Sequence, residues 1–107
     1  MKVVSCESYI VATPPPHVGG MYWIFVSLRT DCGIEGIGEV YAATFHPSVM
    51  THAIEDVFDR YLKGFDPHHV ERFFRAAYSS GFTQRPDLSM MGVVSGLEMA
   101  CWDIIGK

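Results

Sequence analysis

Proton-transfer chemistry needs an acid, base or nucleophile within reach of a partner that tunes it, so the titratable residues and their spacing come first. Of five histidines, His68 and His69 are adjacent, about 100° apart on a helix, and His46 and His52 lie six apart on different faces. Neither pair converges on a metal. Lys63 and Lys107 fall at helix ends, where a cation complements the backbone dipole. Glu98 lies between two apolar stripes of one helix and Asp103 follows Trp102, which suits hydrogen-bonded structural carboxylates. Gly33, Gly36 and Gly38 recur within a turn and a strand with no helix directly following, which makes a phosphate loop a poor reading. No catalytic set and no metal-ligand set emerges from the residues.

Binding groups are a different matter, because they concentrate on loops held by rigid elements. Two loops, residues 14–20 and 40–46, leave a predicted three-stranded meander at the same edge and can meet there. Together they offer His17, Tyr41, Thr44, Phe45 and His46 as substrate-contacting residues. A third loop carries Arg85, whose guanidinium suits bidentate contact with a substrate carboxylate.

The elements that position these loops follow from pattern. Residues 2–13 are rich in β-branched side chains and stop at Pro14-Pro15-Pro16, predicting a strand. Residues 21–30 alternate with apolar groups on both faces, predicting the central strand. Asp31-Cys32-Gly33 is a tight hairpin turn, and residues 34–41 return as the third strand. Pro47 suits a first helical position, with Met50, Ala53, Ile54, Val57, Phe58 and Tyr61 as one stripe and Gly64 as the stop. Asp66-Pro67 is expected to cap and start a second helix with Val70, Phe73, Phe74 and Ala77 inward, ended by Gly81.

The final helix, Leu88–Gly106 with Asp87 as N-cap, is apolar over most of its circumference. Met90, Val93, Val94, Leu97, Ala100, Cys101, Ile104 and Ile105 form one face, and Met91, Met99 and Trp102 form a second; only Gly92, Gly96, Glu98 and Asp103 are left for water. A helix apolar on most sides is buried on most sides. Gly92 and Gly96 each cost about 1 kcal/mol of helix stability relative to Ala, a cost that makes sense where another backbone comes close. The predicted fold is α+β: a three-stranded antiparallel meander followed by a three-helix subdomain.

Composition narrows the function. A net charge of −4 and a pI near 5.6 leave no basic footprint for nucleic acid. Three widely spaced cysteines, Cys6, Cys32 and Cys101, suit free, inert thiols in a reducing cytoplasm. By run length, no apolar stretch is expected to approach the ~20 residues of a membrane span, so no membrane partner is expected and the cytoplasm is the expected location.

The hairpin WIFVSLRTDCGIEGIGE (residues 23–39), the segment GFDPHHVERFFRAAYSSGF (residues 64–82) and SGLEMACWDIIGK (residues 95–107) together resemble the N-terminal capping domain of the enolase superfamily. The likeness is to its mandelate racemase and muconate lactonizing enzyme branch, particularly the sugar-acid dehydratases. Ile37 stands where many relatives have Trp, and Arg85-Pro86-Asp87 replaces a commoner Arg-Gly-Gly-Pro. The resemblance implies that residues 1–107 form a lid over a C-terminal (β/α) barrel absent from this chain. That barrel would hold Mg²⁺ and the Lys or His groups that remove the proton α to a small carboxylate substrate, in a homo-oligomeric enzyme. A racemase or cycloisomerase acting on a more apolar acid is the alternative within the family. A free-standing protein-interaction module is the alternative outside it. This segment by itself is expected to be inert.

Overall fold

The structure is a computed structural model describing residues 1–41, 45–79 and 87–107. Strands β1 (Val3–Ala12), β2 (Tyr22–Thr30) and β3 (Glu35–Val40) form an antiparallel sheet in the order β1-β2-β3. β2 is the central strand, paired on both edges, with Ile24, Val26, Leu28 and Thr30 buried on one face and Trp23 and Phe25 half-buried on the other. Cys6 pairs with Leu28 and Ile10 with Ile24 on one side, and Val26 with Gly38 and Leu28 with Gly36 on the other. The β2–β3 hairpin closes through Thr30 N to Ile34 O (2.9 Å), with Gly33 at φ 84°.

Helix α1 (Pro47–Val57) runs into a π-helical turn, Phe58–Leu62. The turn is closed by a bond from Lys63 N to Phe58 O of 2.9 Å, and it shifts the inward register. Leu62 is buried, while Tyr61 is only half-buried at the margin of the core. Helix α2 (Val70–Ser79) begins later than the Asp66-Pro67 signal implied. Asp66 does cap, but it caps a turn: its Oδ1 accepts from His68 N at 2.9 Å, and the helix starts at Val70. Phe74 is also partly exposed rather than fully inward. Gly81, the expected end of α2, lies outside the described residues.

Helix α3 (Leu88–Gly106) has the expected ends, and Asp87 accepts from Met90 N at 2.9 Å as its N-cap. It lies across the inner face of β3 and part of β2. Val93, Val94, Leu97, Ala100, Cys101 and Ile104 are buried with Val26, Leu28, Met50 and Ile54 in the core. Each buried Val, Leu, Ile or Met among them contributes roughly 1.5–3 kcal/mol by burial. The close backbone approach expected at the helix glycines is present and reciprocal. A Cβ on Gly92 would lie 2.6 Å from Tyr41 O and one on Gly96 2.8 Å from Glu39 O, while Gly36 and Gly38 of β3 face Ala100 and Gly96. These glycines are therefore buried rather than left for water. Met99 and Trp102 are the outward residues instead, 45% and 57% exposed.

Polar groups of Asp103 and Lys107 tie α3 to β3, and a further bond lies within α3 itself. Asp103 Oδ2 accepts from Ile37 N at 2.9 Å and sits 3.0 Å from Lys107 Nζ, which in turn donates to Glu35 O at 2.8 Å. Glu98 accepts from Trp102 Nε1 at 3.3 Å. Contrary to the run-length expectation, α3 is long and apolar enough, by length and composition alone, to cross a membrane. Its packing on the sheet accounts for that apolarity as a core helix.

Candidate functional site

The two loops meet where the meander predicts. A cleft of about 500 Å³ opens at one end of the sheet, walled by Gly19 and Gly20 of the first loop, Tyr22, Trp23 and Ile24 of β2, Glu39 and Val40 of β3, then Tyr41, Phe45 and Pro47. The first loop folds back on itself through His17 N to Pro14 O (2.9 Å) and Gly20 N to His17 O (3.0 Å). Gly19, at φ 88°, lies directly on the Trp23 indole, where a Cβ would come within 2.8 Å of Cζ2. Only glycine allows both the positive φ and that contact.

The expected site residues fall in different places. Tyr41 and Phe45 line the cleft and are 59% and 51% exposed, so their rings have surface free for a ligand. His46 is the N-cap of α1: its Nδ1 accepts from Ser48 N at 3.2 Å. Its ring centroid is 6.0 Å from that of Tyr22, which sets one wall. His17 donates from Nδ1 to Thr13 O at 2.7 Å and does not line the cleft. Thr44 and Arg85 lie outside the described residues. Three cleft residues were not foreseen: Tyr22, Trp23 and Glu39. Tyr22 and Trp23 fall within the predicted central strand and Glu39 at the end of the hairpin motif; only the register, which sets Glu39 opposite Phe25, brings it beside the loops.

The strongest electrostatic shifts lie away from the cleft. Burial pushes the Cys6 thiol up to about 12, with Glu55, Asp59 and Glu7 adding to the effect. Burial likewise raises Cys101 to about 12, with a smaller push from Glu98. The Ile37 N–H, followed by Lys107, holds the Asp103 carboxyl below the usual range. Among the described residues no group of three or more His, Cys, Asp or Glu side chains is arranged to hold a metal ion. These residues therefore do not fit a Mg²⁺ site.

Residues 10–107 match the model of the mandelate racemase / muconate lactonizing enzyme N-terminal domain. The chain belongs to that family. A crystal structure of a protein from Burkholderia SAR-1, described as of mandelate racemase/muconate lactonizing enzyme type, shares 75% identity at a TM-score of 0.94, covering 99% of this chain and 26% of that one. The mandelate racemase/muconate lactonizing enzyme from Jannaschia sp. CCS1 superposes at 0.94 with 54% identity, over 99% and 28%. D-galactonate dehydratase from Verminephrobacter eiseniae is 31% identical over 107 residues, all of this chain and 25% of its own length. This chain thus spans about a quarter of the curated relatives it matches. The α+β fold of the family's N-terminal domain is the fold observed.

Proposed function

We propose that this chain is the substrate-selecting lid of an enzyme that removes the proton α to a carboxylate, acting as a dehydratase. The observation that carries the reading is the cleft, built jointly by the two loops at one end of the sheet. A relative named D-galactonate dehydratase along the whole of this chain supports the dehydratase class and a sugar-acid substrate. In this reading a C-terminal barrel of the same polypeptide holds Mg²⁺ and the acid/base residues, and the enzyme is a cytoplasmic homo-oligomer. The lid orients the end of the substrate remote from its carboxylate and excludes water. Tyr41 and Phe45 face the substrate, Thr44 supplies a hydrogen bond from the second loop, His17 holds the shape of the first loop through Thr13 O, and Arg85 meets a carboxylate. His46 acts chiefly by fixing the start of α1 and the Tyr22 ring.

A racemase or cycloisomerase acting on a less polar acid is the second reading. It is favoured by the aromatic walls of the cleft and by the engagement of His17 and His46 in bonds to Thr13 and Ser48.

The test uses the full-length protein. Tyr41→Phe deletes one hydroxyl, and losing one buried hydrogen-bonding partner costs about 1–3 kcal/mol, or roughly tenfold to hundredfold in kcat/KM. The loss is expected for the preferred acid and not for an analogue truncated at its distal end. Equal slowing of both acids, or none, counts against the lid's selecting role.

A further inference from the structure

The two edges of the sheet are finished differently. In an antiparallel pair, alternate residues turn both backbone groups towards the partner strand and the residues between them turn both away. On β3 outward groups are taken up by α3: Ile37 N donates to Asp103 Oδ2 and Glu35 O accepts from Lys107 Nζ. On β1 the phase is set by Thr13 N, which donates to Met21 O at 2.8 Å. With that phase and the β1–β2 register, Cys6, Ser8, Ile10 and Ala12 turn their N–H and C=O groups away from β2. Val3, at the start of the strand, finds partners on that side in Phe65 O and Gly64 N. Among the described residues the backbone groups of the other four find none. The stretch from Ser5 to Ala12 holds no Pro, no Lys and no bulge, the devices that keep an edge strand from pairing.

Such an edge accepts another strand, and β1 is complementary to itself. Two copies paired antiparallel about Tyr9 set Ser8 opposite Ile10 and Cys6 opposite Ala12, so all four outward residues of each copy are bonded at once. Tyr9, whose ring is exposed, then meets its own counterpart as a cross-strand aromatic pair. Charge selects the same register. Each Glu7 lies opposite Val11, which leaves the two carboxylates about 14 Å apart along the strands, beyond the ~8 Å screening length of physiological salt. Centring the pair on Ser8 halves that separation and leaves Ala12 without a bond. Centring it on Glu7 sets the two carboxylates face to face.

We propose that β1 joins two copies of this chain through an antiparallel pair centred on Tyr9, merging two three-stranded sheets into one. This rests on the lid reading only for the homo-oligomer; the joining surface is the added element.

The test uses the full-length protein carrying Cys32→Ser, which removes the exposed thiol; this parent is the control for background cross-linking. Residues facing each other in a non-hydrogen-bonded pair lie ~4.5 Å apart, within the span of a disulfide. Tyr9→Cys is therefore expected to give a covalent dimer under mild oxidation, and Ser8→Cys, which faces Ile10, is not. Ile10→Pro removes an outward N–H and leaves the β1–β2 bonds intact. It should weaken association, followed by sedimentation, by roughly tenfold or more at an unchanged far-UV spectrum. A monomeric parent protein, a Tyr9→Cys variant that stays uncrosslinked, or an oligomer indifferent to Ile10→Pro overturns the proposal. Amides of Ser8 and Ile10 protected from hydrogen exchange in such a protein would assign the edge to a strand from the rest of the polypeptide. Cross-linking through Ser8→Cys instead of Tyr9→Cys overturns the register. None of these readouts depends on turnover, so a protein that exchanges no α proton loses the lid reading while the pairing stands.

Discussion

Thiol chemistry separates the three cysteines by environment. Burial keeps Cys6 and Cys101 protonated to about pH 12, and the thiolate is the reactive form. Cys32 is exposed in the β2–β3 turn. A thiol reagent at pH 8 is therefore expected to modify Cys32 alone in the folded protein and all three after denaturation. Mass mapping of the labelled peptides decides it; labelling of Cys101 without unfolding would mean that α3 opens. The same shifts have a sign for stability. In the unfolded chain these thiols ionise near pH 8.5, while in the folded chain they do not until about 12. The unfolded state thus binds fewer protons between those values, and stability falls as pH rises through that window. The inert reading of Cys6 and Cys101 was available from sequence alone, but the place of Glu39 in the cleft wall was not. Nothing in a strand motif announces that its last residue will wall a cleft together with residues drawn from other segments. The histidines erred in the opposite direction. Their residue type suggests binding, yet His46 fills a helix cap and His17 closes its own loop.

At the scale of elements, the seam between β3 and α3 has the least room for change. Gly38→Ala would drive a Cβ into the Gly96 backbone, where no rotamer relieves the clash; overpacking of that kind typically costs about 1–3 kcal/mol. Gly96→Ala gains up to about 1 kcal/mol of helix propensity but must displace Val40 and Glu39, so a net loss is expected. Gly106→Ala, with open space around it, should be tolerated. Urea midpoints of the three variants check the order. The polar side of the seam responds to acid. Asp103 is held below its ordinary value, so its contribution is present above about pH 4 and lost as pH falls through the depressed value. Asp103→Asn should flatten the acid limb of the stability profile, measured by urea unfolding from pH 7 downwards. Much of this seam was legible in the sequence, because paired glycines and an Asp N-cap have few other physical meanings. The π-helical turn was not, since one extra residue per turn leaves no mark in composition. The start of α2 was misplaced because Asp-Pro serves equally as a turn and as a helix cap, and only the hydrogen bond to His68 N distinguishes them.

For the whole molecule, the outward side of α3 is the unresolved surface. Leu88, Met99 and Trp102 are 64%, 45% and 57% exposed, a row of large apolar groups on a helix otherwise committed to the core. The relatives carry about three-quarters of their length beyond the region matched here, and the lid reading sets the barrel of the same polypeptide against this row. Trp102 reports on it directly, provided Trp23, the other tryptophan, is replaced by Phe. In the isolated 107-residue segment, Trp102 fluorescence should be quenched readily by iodide. In the full-length protein it should be shifted to the blue and shielded. Trp102→Glu should then destabilise the full-length protein by about 2 kcal/mol or more, the burial worth of a large apolar side chain, while changing the isolated segment little. If quenching is the same in both, this face meets solvent in the full-length protein, and the lid reading requires some other surface to hold it over the barrel.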